Sequence, residues 1–509
     1  MRLRSSRVAV AATSLVFVGL AVPGPATSAV AYDTEDFLDA VTVDGIRAHQ
    51  AAFQAAADAN GGVRASGTPG YEASGDYVTE QLEAAGYTVD RQDFEYEFYQ
   101  ENSPAELEQV TPTAKSYDTQ SMEYSGAGDV TGPLVGTTDL IVPAAASANT
   151  STSGCELADF PPPPAANSIA LIQRGSCSFR QKADNAAAAG YAAAIIFNEG
   201  QDGRQDIING TLGDPQAAIP VVDAAYSTGA ELYEAVQGGP VTAHVAVDAE
   251  VIVQETFNLI AETAGGRADR VVMAGAHLDS VAEGPGIQDN GSGSAAILEI
   301  ALQLAESGIT PVNKVRFGWW GAEESGLIGS QYYVDQLGKK GASSIAAYLN
   351  FDMIGSPNFV RYIYDGDGDT FGIKGPNGSS RIEAIFEDFF DSRGLPNEPT
   401  EFDGRSDYDA FINVGIPAGG LFTGAEGIKT EEEAAIYGGT AGDAYDPCYH
   451  QACDTFDNIS LEVLDEMGDA AAHATLLLAM TSSAVNGTGK ASGKATENSA
   501  VFKGSHAVM

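Results

Sequence analysis

Basic side chains are scarce in this chain. Only 26 lysines and arginines stand against 70 aspartates and glutamates, for a net charge of −44. A surface that acidic repels a nucleic-acid backbone and an anionic membrane, so neither is expected as a partner. Long apolar runs are missing as well. Beyond the first thirty residues no stretch reaches about 18 uncharged apolar residues, which excludes a later spanning helix. Tryptophan is limited to two residues and cysteine to four, yet 44% hydrophobic residues describe a globular chain rather than a disordered one. At 509 residues it exceeds what one ordinary core supports, so at least two domains are expected.

What is present begins with a secretory pattern. Arg2, Arg4 and Arg7 precede an apolar run over residues 8–22, and small residues end at Ala29-Val30-Ala31. Residues 1–31 are therefore expected to be a signal peptide, with the mature chain secreted, extracellular and monomeric. Export permits disulfides, and the cysteines sit as two local pairs, Cys155 with Cys177 and Cys448 with Cys453.

Helical patterning covers residues 44–57 and 70–85, and alternation over 87–98 reads as a strand or hairpin. From 102 to 250 the composition shifts to Ala, Gly, Ser, Pro and Thr, which marks an inserted domain. Within it, strand 168–173, helix 180–189 and strand 192–197 form a β-α-β unit. Strands at 270–276, 314–320 and 346–351 then alternate with helices at 293–307 and 325–337, and a last helix covers 460–480. The expected fold class is α/β, a mostly parallel, doubly wound mixed sheet with helices on both faces, plus a small β-rich α/β insert. Residues 32–101 and 251–485 are assigned to one discontinuous catalytic domain, and 486–509 to a flexible or processed tail.

In such sheets ligands gather at the carboxyl ends of strands. His277, Asp352 and Glu324, with the carboxylate Glu323 just before it, fall just after predicted strands, and Asp289 and His450 stand in loops. Two histidines with three carboxylates suit a hydrolytic pair of zinc ions sharing one bridging carboxylate, which points to a peptidase. Asp279, two residues after His277, can take the second imidazole N–H.

The strings Gly275-Ala-His-Leu-Asp-Ser280, Asp289-Asn-Gly-Ser-Gly293, Trp320-Gly-Ala-Glu-Glu324, Asn350-Phe-Asp-Met353 and Cys448-Tyr-His-Gln-Ala-Cys453 resemble, in order, the motifs of secreted bacterial double-zinc leucyl aminopeptidases. By that resemblance His277 and Asp352 hold one zinc, Glu324 and His450 the other, and Asp289 bridges them. It further implies a cis peptide at Asp289–Asn290. Glu323 is the expected general base, taking a proton from the attacking water and passing it to the leaving amine. Tyr449 would donate to the oxyanion, Arg405 would help bind substrate near its free amine, and Phe422 would line the side-chain pocket. Asp465 and Asp469, one helical turn apart, match a calcium site of the resembling enzymes. The insert resembles a protease-associated domain.

The expected activity is removal of amino-terminal residues from peptides, with leucine and other large apolar residues preferred. Two other readings compete: a related metallo-exopeptidase acting on a different substrate end, and a catalytically silent protein that binds partners through its insert. Loss of any ligand would favour the silent reading, and none is lost.

Overall fold

A computed structural model describes residues 33–201, 203–213 and 215–481, together with a short ribbon of Phe502–Lys503 against His506–Ala507. The expected signal segment, and most of the tail 486–509, lie outside the described residues.

Two long strands organise the molecule. Val89–Thr111 and Thr242–Glu262 pair antiparallel along their length, from Val89 against Ala261 to Thr111 against Thr242. At one end Leu259 to Glu262 pair with Trp319 to Arg316 of the larger part of the sheet. At the other end Thr242 to Val247 pair with Pro133 to Gly128 of the inserted body.

The catalytic side of the sheet runs in the order Glu398–Thr400, Tyr362–Tyr364, Ala418–Phe422, Ile345–Phe351, Arg267–His277 and Asn313–Trp320, and then reaches Thr242–Glu262. Its four inner strands, Ala418–Phe422 to Asn313–Trp320, are parallel to one another. Strand alternation sends Val272, Ala274 and Ala276 into one core with the helices Val43–Ala59, Gly291–Glu306 and Leu461–Met480. Val271 and Met273 face the opposite core, with Trp320, Tyr348 and Phe411. The sheet is thus covered on both faces, as expected. Gly291–Glu306 is buried on most sides, which matches its mostly small and apolar residues, with Glu299 buried against His49.

The inserted body continues the sheet through Gly128–Gly136, Ile169–Gln173, Ala193–Phe197 and Val221–Ala224, all parallel. Ala170 and Ile172 pack on one side with the helix Phe179–Ala188, while Ile169 and Leu171 pack on the other with Leu232 of the helix Tyr226–Gly238.

Two elements differ from the sequence reading. The strand expected to end at 98 continues to Thr111, because Thr242–Glu262 pairs with it beyond the change of composition at 102. The register shifts between Glu101 and Ser103 and again between Ser103 and Glu106, which takes Pro104 out of the ladder where it has no N–H to donate. The helix expected from 325 starts at Ile328, after a loop in which Ala322 (φ 54°) and Leu327 (φ 65°) are left-handed. That helix kinks at Gly338 (φ 57°), close to its expected end.

Candidate active site

Four of the five candidate ligands stand at or just beyond the end of a strand or just before a helix, and the fifth, His450, stands in a loop. His277 closes the strand Arg267–His277, and Asp352 follows Ile345–Phe351. Glu323 and Glu324 lie in the loop after Asn313–Trp320. Asp289 precedes the helix Gly291–Glu306 across a cis peptide to Asn290, as the resemblance implied. Asn290 caps that helix by accepting the Gly293 N–H at 2.9 Å, and its Nδ2 donates to the Phe351 carbonyl at 2.9 Å. Gly293 cannot carry a side chain, since a Cβ there would sit 2.1 Å from the Phe351 carbonyl oxygen. His450 lies in the loop closed by the Cys448–Cys453 disulfide, and the second expected bridge, Cys155–Cys177, is also formed. Ala322, Met353 and His450, all beside or within the site, adopt left-handed φ of 54°, 53° and 56°. Such conformations concentrate where surrounding structure must aim a functional group.

The donor atoms converge. His277 Nε2 lies 3.2 Å from Asp289 Oδ1, 3.2 Å from Asp352 Oδ1 and 3.9 Å from Glu323 Oε2. His450 Nε2 lies 3.2 Å from Asp289 Oδ2 and 3.1 Å from Glu324 Oε2, without hydrogen-bonding alignment to either. Glu324 Oε1 is likewise buried without a hydrogen-bond partner. Groups that crowd one point without satisfying one another are arranged for a cation between them. Two of the possible ligand triads, His277 with Asp289 and Asp352, and Asp289 with Glu324 and His450, share Asp289. A third combines His277 with Glu323 and Glu324. Nitrogen and carboxylate donors in this mixture fit zinc.

The charges tell the same story. Burial pushes the Glu323 carboxyl well above its ordinary range, and Glu324, Asp407 and Asp352 push it further against the pull of His277. Burial and then Asp289 raise Glu324 to about 7, with His450 opposing. Burial would lower His450, but Glu324 and Asp289 outweigh it and lift the imidazole to about 10. His277 is likewise held well above its ordinary value, as Glu323 and Asp352 overcome burial.

The surrounding shell is specific. Trp320 Nε1 donates to Tyr348 OH at 2.9 Å, Tyr348 OH to Asn350 Oδ1 at 3.1 Å, Asn350 Nδ2 to Ser406 Oγ at 2.8 Å, and Ser406 Oγ to Asp352 Oδ2 at 2.5 Å. An indole N–H can only donate, so every proton in this relay points toward Asp352. Its Oδ2 is thereby engaged, leaving Oδ1 toward His277. Asp279 differs in detail from expectation. Its main-chain carbonyl, 3.1 Å from His277 Nδ1, is nearer than its carboxylate at 3.6 Å, and that carboxylate also accepts the Glu323 N–H at 3.3 Å. Arg64, fully buried, donates to the carbonyls of Leu278 (2.5 Å), Pro285 (2.7 Å) and Gly286 (2.5 Å), and so holds the loop between His277 and Asp289.

Arg405 Nη2 donates to Tyr449 OH at 3.2 Å while Nη1 meets Glu426 at 2.8 Å. Phe422, with Met353, Tyr364 and Ala425, supplies the apolar part of the cleft, whose other lining includes Glu401 and Asp403. Larger clefts of about 830 and 810 Å³ lie elsewhere and contain none of these ligands, so chemistry rather than volume identifies the site. Asp465 and Asp469 stand on the helix Leu461–Met480, where burial and then Asp465 raise Asp469 to about 6, with lesser effects from Arg393, Glu35 and Asp39. They belong to none of the three-ligand groups found among the described residues. Arg64, Ser406 and Asp454 are the site residues that sequence reading missed. Only Asp454 had a signal, its place directly after Cys453.

This fold and this ligand set define a metal-dependent hydrolase. The model of peptidase family M28 matches residues 258–475, and a PA domain matches residues 130–232. An aminopeptidase of Pseudomonas aeruginosa is 50% identical over 87% of this chain and 82% of its own. The probable lipoprotein aminopeptidase LpqL of Mycobacterium tuberculosis is 42% identical over 88% and 87%. A probable leucine aminopeptidase 2 of Aspergillus fumigatus is 41% identical over 78% and 76%. Among solved structures, the aminopeptidase from Aneurinibacillus sp. strain AM-1 superposes with a TM-score of 0.70 at 27% identity, over 88% of this chain and 96% of that one. The chain belongs to peptidase family M28, with an inserted PA domain, and is a peptide-bond hydrolase of the aminopeptidase type.

Proposed function

We propose that the chain is a two-zinc aminopeptidase that removes amino-terminal residues from peptides, with a preference for leucine and similar side chains. The observation that carries this reading is the pair of ligand triads sharing Asp289, with Glu323 beside them and outside both. His277 and Asp352 would hold one ion, Glu324 and His450 the other. Bound zinc supplies Lewis acidity that polarises the substrate carbonyl and acidifies water.

Glu323 accepts the proton of the attacking water and returns it to the leaving amine. Tyr449 presents its hydroxyl hydrogen to the oxyanion. Because Arg405 donates to the phenol oxygen, that hydrogen is left for substrate. Glu323 and Asp352 offer negative charge to the protonated amine. Phe422 and Met353 favour a large apolar first side chain. The preference for leucine is in keeping with the names of the fungal relatives. Calcium at Asp465 and Asp469 belongs to the same proposal as a structural ion.

Residues 32–101 and 251–485 form the catalytic part in this reading, and 102–250 the insert. Two disulfides, and the lack of any helix among the described residues long and apolar enough to cross a membrane, agree with work outside the cell. The test is hydrolysis of a leucine anilide before and after phenanthroline, and again with zinc restored. Activity lost to the chelator and regained with zinc supports the proposal. No activity in zinc-loaded protein overturns it.

A further inference from the structure

The segment carrying Asp289 is gripped by one side chain from across the site. Asp454 is buried, with 2% exposure. Its Oδ1 accepts the Gln288 N–H at 2.8 Å, its Oδ2 accepts the Asp289 N–H at 3.0 Å, and its main-chain carbonyl accepts the Ile287 N–H at 3.1 Å. Three successive amides therefore end on one residue. Asn458 Nδ2 steadies the carboxylate by donating to Oδ1 at 3.2 Å.

Asp454 also follows Cys453, the last residue of the disulfide-closed loop that holds Tyr449 and His450. Asp289 directs one oxygen to each histidine, Oδ1 to His277 and Oδ2 to His450, each at 3.2 Å. The direction of that carboxylate depends on its main chain, and the main chain is fixed by the loop that supplies one of the two histidines. Resting on the two-zinc reading above, we propose that Asp454 is a positioning residue of the zinc centre, setting the bridging geometry of Asp289 and locking it to His450.

Asparagine at position 454 keeps the shape but replaces one acceptor by a donor, so one of the Gln288 and Asp289 amides meets an N–H instead of an oxygen. A comparison variant separates this role from plain loop stability. Gln50 Nε2 donates to the Ile287 carbonyl at 3.0 Å, on the same segment but without touching Asp289. Zinc affinity of the full chain is measured by competition with a chelator of known strength, alongside kcat and KM on leucine anilide and melting of the metal-free protein.

Asp454→Asn should weaken zinc binding by about tenfold or more, the range of outer partners of metal ligands, and lower kcat with little change in KM. Gln50→Ala should lower the melting temperature and leave zinc affinity within about twofold, as expected of a buried hydrogen bond that touches no ligand. Zinc affinity of Asp454→Asn within about twofold of wild type, or equal zinc losses in the two variants, overturns the proposal. If Asp454→Asn yields no folded protein, Asp454→Glu, whose carboxylate sits one methylene too far out, is judged by the same criteria. Failure of the wild-type chain to take up two zinc ions is a separate outcome that defeats the two-zinc reading itself.

Discussion

Replacing Glu323 by glutamine tests the chemistry with almost no change of shape. The side chain is 3% exposed, its main-chain N–H is held by Asp279, and its Oε2 lies 3.9 Å from His277 Nε2, outside the two triads assigned to zinc. The amide should therefore occupy the same place and leave both ions bound. It cannot accept the proton, and loss of a general base costs about 10²–10⁴ in rate. At 1.36 kcal/mol per decade that is about 3–5 kcal/mol of barrier, to be seen in kcat with KM nearly unchanged.

A second effect has the opposite sign. Burial, then Glu324, Asp407 and Asp352, hold Glu323 well above the ordinary carboxyl range in the metal-free fold. A group that binds its proton more tightly when folded contributes stability that is complete below its unfolded pKa, about 4.3 for glutamate, and lost as pH rises through the raised folded value. Metal-free wild type should thus lose melting temperature relative to Glu323→Gln as pH climbs above about 4, and zinc should narrow the gap. Steady-state kinetics, zinc content and melting against pH read all three quantities. A variant keeping more than about a tenth of wild-type kcat would refute the base assignment, and one that loses zinc would make Glu323 a ligand instead.

Phe422→Ala, which opens the apolar side of the cleft, should reduce kcat/KM for leucine substrates by about 10–200-fold more than for alanine substrates; equal losses would remove it from the pocket. Because metal-free His277 and His450 hold protons at neutral pH, His450 with a value of about 10, zinc uptake should release protons and tighten as pH rises. Calorimetry in buffers of different ionisation heat measures the release, and none at pH 7 would contradict the charge picture. Cys448→Ser with Cys453→Ser opens a loop of separation 5 and should cost about 2 kcal/mol of stability, against about 3 kcal/mol for the 155–177 bridge of separation 22. Only the first pair should also depress kcat, because only that loop holds Tyr449 and His450. An equal effect on kcat from both pairs would deny the loop its special role.

The cluster that the structure brings together was readable because metal-binding donors come from a few residue types, and placement after strands narrows where several of them stand. His277, Glu324 and Asp352 announced themselves through an apolar run followed by a polar residue. The β-α-β unit of the insert was readable for a similar reason, since Ile169–Gln173 and Ala193–Phe197 are continuous apolar segments. Arg64 and Asp454 stayed hidden because each acts on main-chain groups more than 160 positions away in the chain. Backbone amides and carbonyls carry no sequence label, so a side chain that serves them looks like any surface charge. The end of the first long strand was not legible. The composition change at 102 suggested a boundary there, yet a local shift of register carries the strand past Pro104 to Thr111.

The shared pair of strands also governs how the two bodies can move. A loose linker would let the insert swivel in any direction. Here the connection is a hydrogen-bonded blade that enters both sheets, so the insert rides on it like a paddle on a leaf spring. Free rotation is forbidden, and flexing concentrates where the ladder is broken, between Glu101 and Glu106 opposite Ala249 to Ala246. Any change in the insert's orientation must therefore bend this blade rather than turn about a linker.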